Sequence, residues 1–261
     1  MRNRSEGGAL QVNELRQAVK QYLDAVSAVN RVGTPELSHY TALDNLFDAV
    51  GEQLSPRVRA IVHYSETSSG QPDLGFFSGD NPHPDRGVVE VKGADYDLET
   101  LIASEQVDDY WQKHKLVLVT NLREFALVGQ NNDGAKHTLE RYSLADSNAA
   151  FDEVLKHRTR AANRHGVSLG EYLQRVMSHR STISEPRDLA RLLASYARDA
   201  LQRVEQAAEE EDSLATIRGA IEQALGMSFE GEDGGKFFRS TLVQTLFYGV
   251  LAAWVLWARA G

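Results

Sequence analysis

The chain of 261 residues contains no cysteine. This absence excludes disulfide bonds and metal sites built from thiolates, and it fits a reducing compartment. The eight histidines are scattered, and none falls in an HExxH or similar zinc-binding spacing. The first residues lack the basic and then apolar pattern of a secretory signal peptide. We therefore expect a cytoplasmic protein whose chemistry does not depend on cysteine.

Basic residues are also fewer than acidic residues. The formal net charge is −9, with 28 Lys and Arg against 37 Asp and Glu. A protein that coats nucleic acid non-specifically would carry the opposite balance. The charge is uneven, because residues 1–150 hold 14 basic and 22 acidic residues whereas residues 151–203 hold 10 basic and 6 acidic ones. The second stretch is compatible with local phosphate contact, although a solvated helical surface explains it equally well.

Long apolar runs are rare, but the eighteen residues 241–258 near the C-terminus carry no charge. Eighteen residues are the lower limit for crossing a bilayer. Thr241, Gln244 and Thr245 dilute the run, and no basic cluster follows it. We predict a helix that is buried, or that packs on a further domain, and no membrane contact. A membrane anchor is the alternative, and it would make the solubility depend on detergent.

Hydrophobic periodicity divides the chain into a mixed part and a helical part. The run Leu116–Thr120 is apolar throughout, which is typical of a strand buried on both faces. The predicted elements are, in order, helices 10–29 and 34–55, strands 59–64, 74–77 and 87–92, a helix from 97 to 111, strands 116–120, 125–128 and 137–144, helices near 147–158, 168–180, 185–211 and 213–225, an acidic, glycine-rich break at 230–235, and a last helix. We predict an α/β fold with a mixed sheet flanked by helices in residues 1–146, and an all-helical extension in residues 147–261.

The residues with chemical potential are concentrated between Gln71 and Gly93. Pro72-Asp73 opens one apolar run, and Glu90-Val91-Lys92 closes the next, seventeen residues after the aspartate. A loop rich in Gly, Asn, Pro and Asp separates the two runs, which predicts a hairpin. Because side chains alternate along a strand, Glu90 and Lys92 are expected on one face.

Two carboxylates and a lysine in one place are a poor choice for structure alone. The carboxylates repel each other unless a cation lies between them, and Mg²⁺ prefers oxygen ligands of this kind. A neighbouring lysine can stabilise developing negative charge or position an attacking water. Each residue taken alone could be an ordinary surface charge, but Glu90 follows two valines and precedes a third, where an unpaired charge is costly. The set therefore suits phosphodiester hydrolysis.

Together with the helix that follows, these residues resemble the PD-(D/E)xK nuclease superfamily. Pro72-Asp73 and Glu90-x-Lys92 match its first and second motifs, and Gln106-Val-Asp-Asp-Tyr110 matches the QxxxY motif of RecB-like members. The resemblance implies a restriction-endonuclease-like fold. It also implies that Lys92 helps to activate water, and that Gln106 and Tyr110 support the site or contact the DNA backbone.

The same resemblance implies a metal site. Asp73 and Glu90 would bind Mg²⁺, for which Mn²⁺ substitutes, together with the backbone carbonyl of Val91. Glu36 lies where many members of the superfamily place a further acidic residue on the first core helix.

More narrowly, VVEVKG, QVDDYW and KLVLVTNLREFALVG resemble the N-terminal nuclease domain of single-chain type IIG and type ISP restriction–modification enzymes. The resemblance covers residues 34–144 well. It implies a Mg²⁺-dependent endonuclease of restriction or phage defence that acts on double-stranded DNA. A methyltransferase and target-recognition region would lie in the same or a partner chain, and transient dimerisation would allow double-strand cleavage.

The 261 residues contain no NPPY-type methyltransferase motif and no Walker A motif. This chain alone is therefore expected neither to methylate DNA nor to act as an ATP-driven motor. The alternative to a nuclease is a catalytically degenerate DNA-binding or assembly module with a nuclease-like fold. The presence of Asp73, Glu90 and Lys92 together argues against that alternative.

Overall fold

A computed structural model describes residues 3–32, 37–63, 71–179, 186–208 and 214–260. The chain forms two compact units, Met1–Ser181 and Thr182–Gly261. Within the described residues, the first unit holds one mixed six-stranded sheet flanked by helices, and the second holds helices. The predicted α/β fold with a helical C-terminal segment is confirmed. The functional boundary after residue 146 stays a prediction; the first compact unit also contains two helices beyond it.

The secondary structure of the first unit follows the predicted order of helices and strands. Its strands are β1 (Val58–Val62), β2 (Leu74–Ser78), β3 (Val88–Val91), β4 (Val117–Thr120), β5 (Glu124–Gln130) and β6 (Lys136–Ser143). Its helices are α1 (Asn3–Val32), α2 (Leu37–Gly51), α3 (Leu98–Ile102), α4 (Glu105–His114), α5 (Asn148–Lys156) and α6 (Arg158–Ser178).

The six described strands lie side by side in chain order, from β1 to β6. Neighbours are antiparallel except β3 and β4, which are parallel. Parallel neighbours need a crossover connection, and here α3 and α4 provide it. Since β3 and β4 run in the same direction, their carboxyl ends lie at the same edge of the sheet. That edge carries the candidate site.

The two faces of the sheet are covered by different helices. Val89 and Val91 of β3 pack into the larger core, which contains residues from α1, α2, α5 and α6. Val88 packs into a smaller core with residues of α3 and α4. Because side chains alternate along a strand, Glu90 points to the same face as Val88, toward α3 and α4.

The helix predicted from residue 97 to residue 111 is wrong as a single element. Asp97 caps α3 by accepting a hydrogen bond from the Thr100 N–H, as predicted. The helix then stops at Ile102, and the Ser104 side chain accepts a bond from the Val107 N–H to start α4. A serine inside a helical pattern can compete for backbone donors and restart the helix.

Helix α6 begins at Arg158, ten residues before the predicted start at 168. Gly166, within the helix, lies at the close crossing with α1, because a Cβ on Gly166 would lie 2.7 Å from the Cα of Arg16. The glycine is required by helix packing.

The second unit contains α7 (Pro186–Ala208), α8 (Ala215–Leu225) and α9 (Gly231–Ala260). The predicted break at residues 230–235 is wrong, because α9 already begins at Gly231. Glu232 and Asp233 occupy its first turn, where negative charge complements the helix dipole. Gly234 allows a close approach, since a Cβ there would lie 2.5 Å from the carbonyl carbon of Phe229.

The apolar part of α9 is largely exposed, so the first of the two predicted alternatives, a buried helix, is wrong. Only 11% of its most apolar window is buried, and Tyr248 and Trp257 are 71% and 75% exposed. Among the described residues, one helix segment, Gly231–Trp257, is long and apolar enough to cross a membrane, judged by length and composition alone. Packing of α9 on a further domain, and the absence of membrane contact, stay predictions.

Candidate functional site

The antiparallel register of β2 and β3 brings the two motif carboxylates together. Leu74 lies opposite Val89, and Gly75 lies opposite Val88. Extending this register by one residue places Asp73 opposite Glu90. Directly opposed residues of an antiparallel pair point to the same face and have close Cβ atoms. The hairpin, which the apolar pattern predicted, therefore places both carboxylates on the α3–α4 face.

Asp73 is held by the backbone of β3. Its Oδ2 accepts a hydrogen bond from the Val91 N–H at 2.8 Å, and the backbone carbonyl of Asp73 accepts one from the His63 N–H at 3.1 Å. The side chain is half-buried. The carboxylate is thus fixed at the end of β2 rather than moving freely in solvent.

Glu90 and Lys92 form an ion pair on the same face. The Lys92 Nζ donates to the Glu90 Oε1 at 2.8 Å. The Glu90 side chain is completely buried, whereas that of Lys92 is 28% exposed. The ammonium group therefore lies between a buried carboxylate and solvent.

The second oxygen of Glu90 is the unusual feature of the site. Glu90 Oε2 is buried and has no hydrogen-bond partner among the residues that the structure describes. Burial and the negative charge of Asp73 raise the pKa of the Glu90 carboxyl to about 7, although the Lys92 ammonium opposes the shift. A buried carboxylate oxygen without a donor is costly, so this atom is poised to accept a proton or to bind a cation.

Gln106 and Tyr110 lie one turn apart on α4 and contact each other. The Gln106 Nε2 donates to the Tyr110 hydroxyl at 3.0 Å. Tyr110 is buried, and burial followed by the charges of Glu90 and Asp73 raises the pKa of its hydroxyl against the opposing effect of the Gln106 hydrogen bond. The structure thus places the tyrosine within electrostatic range of the cluster.

The donor atoms fit a hard divalent cation. Two carboxylates face each other across adjacent strands, and one of their oxygens lacks a donor. Oxygen ligands of this type are those that Mg²⁺ and Mn²⁺ prefer. Within the described ranges, no group of three or more His, Asp or Glu side chains forms a complete metal cage. Mg²⁺ usually keeps several waters and binds proteins through one or two carboxylates, so two are sufficient.

The predicted metal site includes two further residues, Glu36 and Val91. Glu36 lies outside the described residues. Val91 is the last residue of β3, and its N–H bonds to Asp73. The backbone carbonyl of Val91 stays a predicted ligand.

Sequence reasoning missed Asn121 and Arg123, which contact the loop after Lys92. The Asn121 Nδ2 donates to the Tyr96 carbonyl at 2.9 Å, and the Arg123 Nε donates to the Ala94 carbonyl at 3.0 Å. The available signal was that polar residues directly follow a fully buried strand. In a parallel pair, such residues lie at the edge where the neighbouring strand also ends.

Comparisons with known proteins add little to this geometry. No protein-family model matches the chain, and no curated protein matches it. Among solved structures, the chain is similar to the cryo-EM structure of the DrdV–DNA complex, with a TM-score of 0.40 and 20% sequence identity. The similarity covers 55% of this chain and 96% of that chain. A likeness of this size carries no conclusion about function.

Proposed function

We propose that this chain is a metal-dependent endonuclease domain that hydrolyses phosphodiester bonds of double-stranded DNA. The observation that carries the proposal is the cluster of Asp73, Glu90 and Lys92, in which a buried Glu90 oxygen has no donor among the described residues. The resemblance of the same residues to the PD-(D/E)xK motifs supports the assignment. The mixed sheet with both carboxylates on one face is compatible with it.

Asp73 and Glu90 are the proposed metal ligands, with the carbonyl of Val91 and with Glu36. Bound Mg²⁺ or Mn²⁺ would supply Lewis-acid stabilisation of the negative charge that develops on the phosphate oxygens. The protein itself holds Asp73 in place through the Val91 N–H. It also buries the Glu90 side chain completely, so bulk water does not reach the Glu90 Oε2.

Lys92 is proposed to orient the attacking water and to stabilise negative charge on the substrate. Its Nζ is fixed at 2.8 Å from the Glu90 Oε1, while part of the side chain still faces solvent. The ammonium can therefore reach a phosphate that approaches from the open side. Tyr110, oriented by Gln106, is proposed to support the cluster or to contact the DNA backbone.

The partners follow from this assignment as proposals. One such cluster cuts one strand, so a double-strand break requires two copies or two successive nicks. A restriction or phage-defence enzyme that contains this domain would use a methyltransferase and target-recognition region, in the same or a partner chain, to choose the site. The cytoplasm, a reducing compartment that fits a chain without cysteine, is the proposed location.

Cleavage of a supercoiled plasmid in Mg²⁺ or Mn²⁺ tests the proposal. Wild type is expected to nick or linearise the plasmid, whereas Asp73→Asn and Lys92→Ala lose cleavage. Two matched controls, Asp80→Asn in the exposed hairpin loop and Lys156→Ala on α5, keep wild-type activity.

Two other outcomes would overturn the assignment. Equal cleavage by wild type, Asp73→Asn and Lys92→Ala would locate the activity outside the cluster. Absence of cleavage by wild type, combined with DNA binding that ignores Asp73→Asn, would favour the degenerate binding module.

A further inference from the structure

The segment that follows Lys92 is tied to the β4–β5 turn at alternate residues. The Lys92 N–H donates to the Thr120 carbonyl at 2.9 Å, which is the last backbone bond between β3 and β4 in this direction. After Thr120 the chain turns into β5 and no longer runs beside the segment that follows Lys92. Side chains of the turn, and not backbone N–H groups, then donate to the carbonyls of that segment. The Arg123 Nε bonds to the Ala94 carbonyl, and the Asn121 Nδ2 bonds to the Tyr96 carbonyl.

Asn121 is itself rigidly held. It is completely buried, and its Oδ1 accepts a hydrogen bond from the Glu124 N–H at 2.8 Å. Its Nδ2 also bonds to the Glu124 carboxylate at 3.1 Å. The three hydrogen bonds of the side-chain amide thus go either to its own turn or to the Tyr96 carbonyl. The orientation of Asn121 leaves little freedom for the loop that it contacts.

Arg123 connects three segments of the chain. Besides Ala94, its guanidinium donates to the Ala145 carbonyl at 3.2 Å and pairs with Glu124 at 2.5 Å. The side chain is only 12% exposed. A planar guanidinium with several donors in a fixed geometry can hold two carbonyls at once, which lysine cannot do in the same way.

Asn121 and Arg123 together form a clamp on the loop after Lys92. The clamp acts on both sides of the candidate site. On one side it fixes the backbone immediately after Lys92, and so the point from which the long lysine side chain extends. On the other side it fixes the approach to Asp97, which caps α3, the first helix of the crossover that leads to α4. Tyr110 lies on α4. The same two residues therefore bond to the chain between Lys92 and the α3–α4 crossover that carries Tyr110.

We propose that Asn121 and Arg123 are positioning residues, which hold Lys92 and the α3–α4 crossover in the geometry that phosphodiester hydrolysis needs. This inference rests on the proposed nuclease function. It goes beyond it because the bonds of the two residues go to the loop and to their own turn, and not to Asp73, Glu90 or the proposed metal position. Small displacements of a reacting group are sufficient to reduce a rate strongly, which makes such a clamp important to the reaction.

The test compares Arg123→Ala, Arg123→Lys and the control Arg175→Ala in single-turnover DNA cleavage, with DNA affinity measured separately. Arg175 is also a buried arginine, but it pairs with Glu140 on β6, three strands from β3. We expect Arg123→Ala to cleave at least about tenfold more slowly at unchanged DNA affinity. Arg123→Lys is expected to be intermediate, because one carbonyl can still be bound. Arg175→Ala loses thermal stability but keeps its rate below its Tm.

An NMR measurement on the same variants reports on Lys92 without any cleavage. The clamp predicts that Arg123→Ala shifts the Lys92 Cε signal and speeds amide exchange in residues 93–97, whereas Arg175→Ala does neither. If wild type cleaves DNA and Arg123→Ala matches its rate below the Tm of the variant, the positioning role is wrong and the proposed function stands. If wild type does not cleave, the proposed function fails, and an unchanged Lys92 signal in Arg123→Ala would remove the clamp as well.

Discussion

Asp73 and Glu90 lie opposite each other on adjacent antiparallel strands, and the charge of one raises the pKa of the other. The contact is unfavourable while both are ionised and no cation lies between them. A structure that keeps Glu90 fully buried beside a second carboxylate is therefore expected to be sensitive to protons and to divalent cations.

The first prediction concerns Glu90→Gln and pH. A carboxyl that holds its proton more tightly in the folded protein contributes stability at low pH, and this contribution is lost as the pH rises from the ordinary value of 4.5 to about 7. The full shift corresponds to about 3 kcal/mol or less. Without divalent cations, the free energy of unfolding of wild type should fall by this amount between about pH 4.5 and pH 7.5 relative to Glu90→Gln. Urea unfolding in EDTA at several pH values measures the difference.

The control for that experiment is Asp80→Asn, which changes an exposed carboxylate of the same hairpin. It should follow the pH dependence of wild type. If Glu90→Gln also ran parallel to wild type over the whole range, Glu90 would not titrate as described.

The second prediction concerns Lys92→Met. Removing the ammonium deprives the buried Glu90 carboxylate of its partner, which matters only when Glu90 is ionised. We expect a loss of about 1–3 kcal/mol in the free energy of unfolding near pH 8, and a much smaller loss near pH 5. Denaturant unfolding at the two pH values checks this. Equal losses at both would mean that Lys92 contributes through packing of its stem and not through its charge.

The third prediction separates two neighbouring aromatic residues of α4. Tyr110→Phe loses a hydrogen bond from the exposed Gln106 amide, so the free energy of unfolding should change by about 1 kcal/mol or less. Trp111→Phe leaves the Gly129 carbonyl without its donor at 2.8 Å and should cost about 1–3 kcal/mol. Cleavage of DNA should show the reverse order, with Tyr110→Phe the slower variant. A slower Trp111→Phe would contradict the placement of Tyr110 at the site.

The fourth prediction concerns the fold away from the site. Arg175 and Glu140 form a buried ion pair between α6 and β6, with side chains 4% and 13% exposed. Arg175→Met leaves a buried carboxylate and should cost about 3–5 kcal/mol. The double variant with Glu140→Met should recover much of this loss, because no unpaired charge remains. A double variant less stable than Arg175→Met, measured by thermal unfolding, would contradict the pairing.

The sequence predicts the site well where local patterns decide the geometry. Two apolar runs around a loop rich in turn residues predict the hairpin, and the hairpin places Asp73 and Glu90 on one face. A spacing of four residues on a helix predicts the contact of Gln106 with Tyr110. The short apolar strands likewise predict the mixed sheet.

Other features depend on contacts that no local pattern records. Asn121 and Arg123 reach carbonyls that lie 25 and 29 residues away in the chain. The close crossing of α6 with α1 at Gly166 likewise leaves no mark in the local sequence pattern. The exposure of Trp257 could not be read from its apolar neighbours, because a run of apolar residues does not say what surrounds it.

The most direct test of this account is Mn²⁺ binding by isothermal titration calorimetry, comparing wild type with Asp73→Asn and with the control Asp80→Asn. The account predicts that wild type and the control bind Mn²⁺, that Asp73→Asn binds it at least about tenfold more weakly, and that the affinity of wild type increases as the pH rises through about 7, where Glu90 loses its proton. Equal affinity in wild type and Asp73→Asn, or no change in affinity across this pH range, would contradict the proposal that Asp73 and Glu90 form a cation site.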